Sequence, residues 1–283
     1  MPRTIAATFG LTIATLIAAT PAAADLVETR ELDESLSVST RDPLVVIVKN
    51  IFGPIRVTAH NRDRVEMHAT ETIRGDLQAD IERARAEVAL ETEQEAGRVA
   101  FRVRHRGSDA ACDCGPRFDD YRVEYDIELR VPREAALELA TVNDGDVDVE
   151  GVAGDFILRN VNGAVRLTNA SGSGSVTTVN GEIEVTFERA PTQPTSFKTV
   201  NGELDVTFPD SLAADLAFAT MNGEVFTDFD VATIASAPTQ SSTRRGAFAV
   251  RISRDSTFRV GGGGPRHSFN TLNGDIYVRR AKP

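Results

Sequence analysis

One phrase recurs through the second half of this chain and limits what it can fold into. Thr199-Val200-Asn201-Gly202-Glu203-Leu204-Asp205-Val206 is preceded by Thr178-Val179-Asn180-Gly181-Glu182-Ile183-Glu184-Val185 and followed by Thr220-Met221-Asn222-Gly223-Glu224-Val225. Thr271-Leu272-Asn273-Gly274-Asp275-Ile276-Tyr277-Val278 is the last copy, and looser ones surround Asn162-Gly163 and Asn143-Asp144-Gly145. The Asn residues at 143, 162, 180, 201 and 222 lie roughly 18–21 residues apart, the short end of the range for solenoid repeats.

Aligning the copies on the Asn exposes their pattern. Four residues ahead stand Leu158, Val176, Phe197, Phe218 and Phe269, and two ahead Asn160, Thr178, Thr199, Thr220 and Thr271. Three residues after stand Val165, Ile183, Leu204, Val225 and Ile276, and five after Leu167, Val185, Val206, Thr227 and Val278. A period of two on both sides of the Asn-Gly gives two strands per repeat, each with one apolar face. No single repeat can bury its own face, so the repeats must stack. Stacking predicts an apolar core column, a Thr column hydrogen-bonding along itself and an Asn column at a corner, with Gly supplying the positive φ of a tight turn. Asn-Gly between alternating strands is also a hairpin signal. In a hairpin, however, Val200 and Val179 would face solvent opposite Glu203 and Glu182, whereas the corner of a coil can turn them inward. A solenoid is therefore preferred, with stacked antiparallel hairpins as the alternative.

The first half reads differently. Short strands are expected at 35–39, 44–48, 55–58 and 65–70, with Asn50-Ile51-Phe52-Gly53 as a diverged corner. Residues 76–87 are rich in helix formers, with Leu77, Ile81 and Ala84 at helical spacing and Asp76 placed to cap the start. Strands follow at 88–92, 98–104 and 121–131, where Pro132 ends the alternation. The expected fold is all-β. A strand-rich, sandwich-like region with one short helix spans 25–136, and a β-solenoid-like repeat of roughly 20-residue coils spans 137–283, with an insertion at about 230–265.

Residues 1–24 read as a secretory signal peptide. Arg3 precedes an apolar run over residues 5–19, Pro21 breaks it, and Ala22-Ala23-Ala24 supplies a small-residue cleavage site. Cleavage near Ala24 would leave a periplasmic or secreted chain, with no transmembrane segment expected in the mature protein. The net charge of -11 argues against nucleic acid as a partner, and the absence of Trp argues against an indole-lined sugar groove. Export permits disulfides, so Cys112 and Cys114 are a candidate disulfide, local or intermolecular. A bridge across the single residue Asp113 closes a tight ring, and no second Cys or His pair lies nearby to complete a metal site.

The run of Thr-Val-Asn-Gly-Glu-Ile phrases after a signal peptide and a strand-rich region resembles the DUF4097 putative-adhesin family of bacterial exported β-strand repeat-containing proteins. Gly261-Gly262-Gly263-Gly264 followed by Phe269-Asn270-Thr271-Leu272-Asn273-Gly274-Asp275-Ile276 looks like that family's ending. The resemblance covers about residues 35–280 and implies an exported β-repeat protein with no catalytic residues to carry over. The Cys112-Asp113-Cys114 loop and the helix stand outside it.

The acids after each Gly, Glu182, Glu203, Glu224 and Asp275, should form one column, joined by Glu184 and Asp205 into an acidic strip. Like charges about 4.8 Å apart repel, so a cation such as Ca²⁺ could be held there. The competing reading is a solvated face that deters aggregation. No cofactor is otherwise implied. A polysaccharide-active enzyme would need clustered carboxylates and a basic residue, for which Asp205, Asp148 and Arg166 are the candidates. No nucleophile elbow or Ser/His/Asp arrangement accompanies them. His60, His68, His105 and His267 read as surface or loop residues. Gly261–Gly264 lacks the Lys-Ser/Thr and following helix of a phosphate cradle, and Arg102, Arg104, Arg106, Arg244 and Arg245 read as solvated. The expected function is a non-catalytic extracytoplasmic envelope protein, a scaffold or adhesin-like binding module for an envelope protein or glycan. The alternatives are the polysaccharide-active enzyme and a sensory partner of an envelope-stress regulator.

Overall fold

The computed structural model describes residues 26–39, 42–105, 120–235, 240–244, 247–251 and 256–282. Residues 1–24, read above as a signal peptide, and Arg106, Cys112, Cys114 and Arg245 lie outside the described residues. Strands β1 (Leu26–Ser37), β2 (Val45–Lys49), β3 (Ile55–His60) and β4 (Arg64–Gly75) precede the helix α1 (Gln78–Glu87). Next come β5 (Val88–Glu95), β6 (Arg98–His105), β7 (Tyr121–Pro132), β8 (Ala136–Ala140), β9 (Val147–Glu150), β10 (Phe156–Arg159) and β11 (Val165–Ala170). The repeats continue through β12 (Gly174–Thr177), β13 (Ile183–Phe187), β14 (Thr195–Lys198), β15 (Leu204–Phe208), β16 (Ala214–Asn222) and β17 (Val225–Thr227). The remaining strands are β18 (Val231–Ala235), β19 (Gln240–Arg244), β20 (Ala247–Arg251), β21 (Ser256–Val260), β22 (Arg266–Asn273) and β23 (Ile276–Arg280).

These strands form two sheets. The first runs β1-β4-β7-β3-β9-β11-β13-β15-β23-β17-β20-β19 and the second β18-β21-β16-β22-β14-β12-β10-β8-β2-β6-β5. Each repeat puts one strand into each sheet, parallel and in register with its neighbours. Val165, Ile183, Leu204 and Ile276 align across the first sheet, and Leu158, Val176, Phe197 and Phe269 across the second. Stacked hairpins would pair antiparallel, so the repeats are coils of a solenoid. In-register coils place like over like, and the apolar columns between the sheets are almost fully buried. Phe187 stacks on Phe208 at 5.0 Å, Phe197 on Phe269 at 5.3 Å and Phe218 on Phe269 at 5.1 Å. Each such side chain contributes about 1.5–3 kcal/mol on burial.

The spatial order of the coils departs from chain order at both ends. The coil β22–β23 inserts between β14–β15 and β16–β17, although the sequence places it last. Likewise β2–β3 inserts between β6–β7 and β8–β9. Antiparallel strands finish each end: β4 and β1 with β5 at one, β21 and β18 with β20 and β19 at the other. Such ends shield the parallel ladder from further pairing.

The corners correct three expectations. The Thr hydroxyls do not bond along their own column. Each donates to a Gly carbonyl in the neighbouring coil: Thr178 to Gly163 at 3.0 Å, Thr199 to Gly181 at 2.9 Å, Thr271 to Gly202 at 3.1 Å and Thr220 to Gly274 at 3.3 Å. Asn160 replaces Thr in its coil and donates to the Gly145 carbonyl at 2.9 Å. Nor is positive φ the general reason for Gly. At Gly202 a Cβ would sit 1.9 Å from the Gly181 carbonyl oxygen, so only Gly lets the coils approach. Third, the residue before each Asn does not turn inward. Val142, Leu272 and Met221 are exposed, and Val161, Val179 and Val200 are partly so. The solenoid rests instead on register and on the amide ladder, in which Asn162, Asn180, Asn201, Asn273 and Asn222 each donate to the next Asn at 2.7–3.0 Å.

The helix starts later than its sequence suggests. Leu77, not Asp76, is the N-cap position and is exposed, and the Asp80 carboxylate at the third helical position accepts its N–H at 3.0 Å. Ile81 and Ala84 are the buried face.

Candidate functional site

The strict repeat brings the acids after each Gly together on the corner of the first sheet. Backbone bonds from Val165 to Glu182, Ile183 to Glu203, Leu204 to Asp275 and Ile276 to Glu224 stack these four acids in that order. The column is laced with partners. Arg166 reaches Asp146 at 2.8 Å, Asp148 at 3.3 Å and Glu182 at 3.4 Å. The Asp146 hydrogen bond holds the Arg166 guanidinium more firmly protonated than usual. Asp275 accepts the Glu224 N–H at 2.8 Å and the Tyr277 hydroxyl at 3.3 Å. Arg279 holds Asp205 at 2.7 Å, while Glu184 lies in register between Arg166 and Asp205. Among the described residues, no three His, Cys, Asp or Glu side chains come together in a way that could hold a metal ion.

The carboxylates proposed for catalysis do not converge. Asp148 lies beside Arg166, but Asp205 sits two strands further along and pairs with Arg279. Beyond it the same row becomes aromatic: Tyr277 stacks on Phe226 at 5.0 Å, with the Arg279 guanidinium 4.9 Å from the Tyr277 ring. Toward the other end, the row continues through Arg56, Glu128, His68 and Asp33. There a shallow groove of about 820 Å³ is lined by Asp33, Arg56, Glu66, His68, Glu128 and Arg130, among others. His68 Nδ1 lies 2.8 Å from Asp33, and that hydrogen bond raises the imidazole pKa against the opposing effect of burial.

The histidines do not all lie at the surface. His267, expected in a loop, is fully buried in β22. Its ring stacks on Phe208 at 5.4 Å, Nδ1 lies 2.9 Å from the Thr195 hydroxyl and Nε2 has no partner among the described residues. Burial depresses its pKa to about 4. His267 takes an inward position that pairs with Thr195, a signal that becomes legible only once the coil order is known. His60 accepts the Arg62 N–H at 3.0 Å, and His105 contacts Glu87 and Tyr121.

The feature most plainly missed is the ridge before the Asn column. Backbone bonds carry it from Ile51 through Val142, Val161, Val179 and Val200, and the inserted coil adds Leu272, with Met221 beyond. Met221 is 64% exposed, Leu272 41% and Val142 38%. The result is an apolar strip running beside the polar amide ladder.

The architecture defines a class, the two-sheet β-solenoid with an Asn-Gly corner. Residues 126–256 match the model of the Toastrack DUF4097 family. The match begins within β7 and ends at the start of β21, short of the inserted coil. No curated protein matches the sequence. Among solved structures, a putative cell adhesion protein from Clostridium sporogenes is similar at 10% identity and a TM-score of 0.43, over 89% of this chain and 100% of that one. A putative adhesin from Parabacteroides merdae is similar at 10% identity and a TM-score of 0.32, over 89% and 96%. A putative lipid binding protein from Parabacteroides distasonis is similar at 12% identity and a TM-score of 0.30, over 90% and 97%. Among the described residues no helix is long and apolar enough to cross a membrane.

Proposed function

We propose that this chain is a non-catalytic, exported envelope protein that works as a binding module, in the periplasm or outside the cell. The observation that carries the reading is the apolar ridge along the stacked coils, on which Val142, Leu272 and Met221 are exposed and Val161, Val179 and Val200 partly so. Contiguous exposed apolar surface marks interaction sites. Asp148 pairs with Arg166 and Asp205 with Arg279 two strands away, so these two carboxylates do not flank one bond as canonical glycoside hydrolysis requires, which argues in the same direction. The reading of residues 1–24 as a signal peptide supports export.

The test compares the wild-type chain with a Leu272→Glu and Met221→Glu double variant as immobilised baits for envelope extract. Both are also incubated with a panel of polysaccharides. The module reading expects partners retained by the wild type and lost by the variant, with no bond cleavage in the panel. Release of reducing ends or unsaturated sugars by the wild-type chain would overturn it.

A further inference from the structure

The outer face of the second sheet carries charge of the opposite sign to the molecule as a whole. One outward row runs in register from Glu91 on the edge strand through Arg102, Lys49, Ala140, Arg159, Thr177, Lys198 and Asn270. Arg102 is paired with Glu93, and Arg159 has Glu138 at 3.8 Å. Lys49 and Lys198 are exposed and make no ion pair among the described residues. The chain has 42 acidic residues against 31 Lys and Arg, yet the cross-strand neighbours of Lys198 are Thr177 and Asn270 and its strand neighbour on that face is Ser196. Between Arg102 and Asn270 the row holds no acid, although acids are plentiful in the sequence; Glu91 stands beyond, opposite Arg102.

Spacing narrows the partner. Neighbouring strands lie about 4.8 Å apart, so Lys49, Arg159 and Lys198, each two strands from the next, recur about every 10 Å over about 20 Å. The adjoining row is hydroxylated on one side of Ile157, through Ser175, Ser196 and Ser268, and on the other runs through Glu138 to the buried Ile47; among the described residues Ile157 is its one large exposed apolar side chain. Glu138 lies diagonal to Lys49. An extended peptide presents same-side groups about every 7 Å, out of step with the cations. A membrane surface offers no fixed line of charge and would call for apolar side chains to insert. A β-linked acidic polysaccharide, with one carboxylate on every second sugar, repeats on the length of two strands and offers hydroxyls to the serines.

We infer that the outer face of the second sheet is a binding surface for an extended acidic polysaccharide, with Lys49, Arg159 and Lys198 each taking one carboxylate. This rests on the reading of the chain as a binding module and names its ligand chemistry.

The test titrates the full chain with a hyaluronan octasaccharide, a neutral N-acetylglucosamine octasaccharide and phosphatidylglycerol vesicles at low ionic strength. The inference expects binding of the first alone, weakened about tenfold or more by Lys49→Glu with Lys198→Glu and by raised salt. Lys198→Arg should keep binding, and Glu184→Gln on the opposite sheet should leave it unchanged. Thermal melting checks that each variant is folded, and Arg159→Gln serves if the double charge reversal does not fold. Absence of hyaluronan binding, equal binding of the neutral sugar, vesicle binding lost through the same substitutions, or indifference to them would each overturn the inference. Partner capture through the ridge would survive any of these results, so failure here is distinguishable from failure of the module reading.

Discussion

At the scale of single residues, the repeat is a set of fitted parts. Gly202 lets its coil come within a carbonyl's width of Gly181. Gly202→Ala should destabilise by about 3 kcal/mol, at the upper end of overpacking costs. Gly262→Ala, where a Cβ meets nothing within 4 Å, should change stability by less than about 0.5 kcal/mol. Urea denaturation reads both. Thr199→Val leaves the Gly181 carbonyl without its side-chain donor, a loss of about 1–3 kcal/mol that Thr199→Ser should largely restore. His267 carries a pH dependence of definite sign. Its folded pKa of about 4 lies below the unfolded value, so the unfolded chain binds the proton more readily. The stability tied to the neutral ring is present above about pH 6.5 and is lost as pH falls toward 4, by up to about 3 kcal/mol. His267→Phe, which keeps a ring against Phe208, should remove that part of the acid loss in urea melts at pH 7 and pH 4.5. The Thr and Gly columns were legible in the sequence as columns. What they touch was not, because a repeat shows which residues stack but not which atoms of the adjacent coil they meet.

At the scale of elements, β1 is the edge of the first sheet, paired with β4 along its whole length and tied further by ion pairs. Arg30 meets the buried carboxylate of Glu71 at 3.0 Å, and that carboxylate also accepts the Tyr125 hydroxyl at 2.5 Å. Asp33 and Glu31 flank His68 at 2.8 and 3.3 Å. The Asp33 hydrogen bond raises the folded pKa of His68, so its stabilisation is complete below the unfolded pKa and disappears as pH rises through the raised value. His68→Asn should therefore speed hydrogen exchange of the β1 amides at pH 5.5 and make little difference at pH 8.5. The strands of the first half were readable from alternation, and β7 nearly to the residue, because each has one wet and one dry face. The helix cap was misread because Asp76 and Asp80 offer the same chemistry at the same end. The inward turn expected of the Val residues failed for a different reason: the Asn-to-Asn amide ladder fixes the corner and leaves the preceding side chain outside.

At the scale of the whole molecule, the two inserted coils set the topology. Strands from both halves of the chain lie side by side in both sheets, and contacts between residues far apart in sequence must form before either inserted coil is secured. Such a topology closes long loops early and is expected to fold slowly. The sequence could not reveal the order, because the copy at Asn273 presents the same Thr, Asn and Gly as the copy at Asn222 and would fit either place. The candidate surfaces depend on that order. The ridge runs Val200, Leu272, Met221, and the acid column runs Glu203, Asp275, Glu224, only if β22–β23 lies inside. Cysteine pairing measures this directly, in a background with Cys112→Ser and Cys114→Ser. Neighbouring strands lie about 4.8 Å apart and strands two away about 10 Å, whereas a disulfide requires Cα atoms within about 7 Å. The account predicts that Asn201→Cys with Asn273→Cys oxidises to an intramolecular disulfide in the folded chain while Asn201→Cys with Asn222→Cys does not. Ready bridging of 201 to 222, with 201 and 273 remaining reduced, would contradict it.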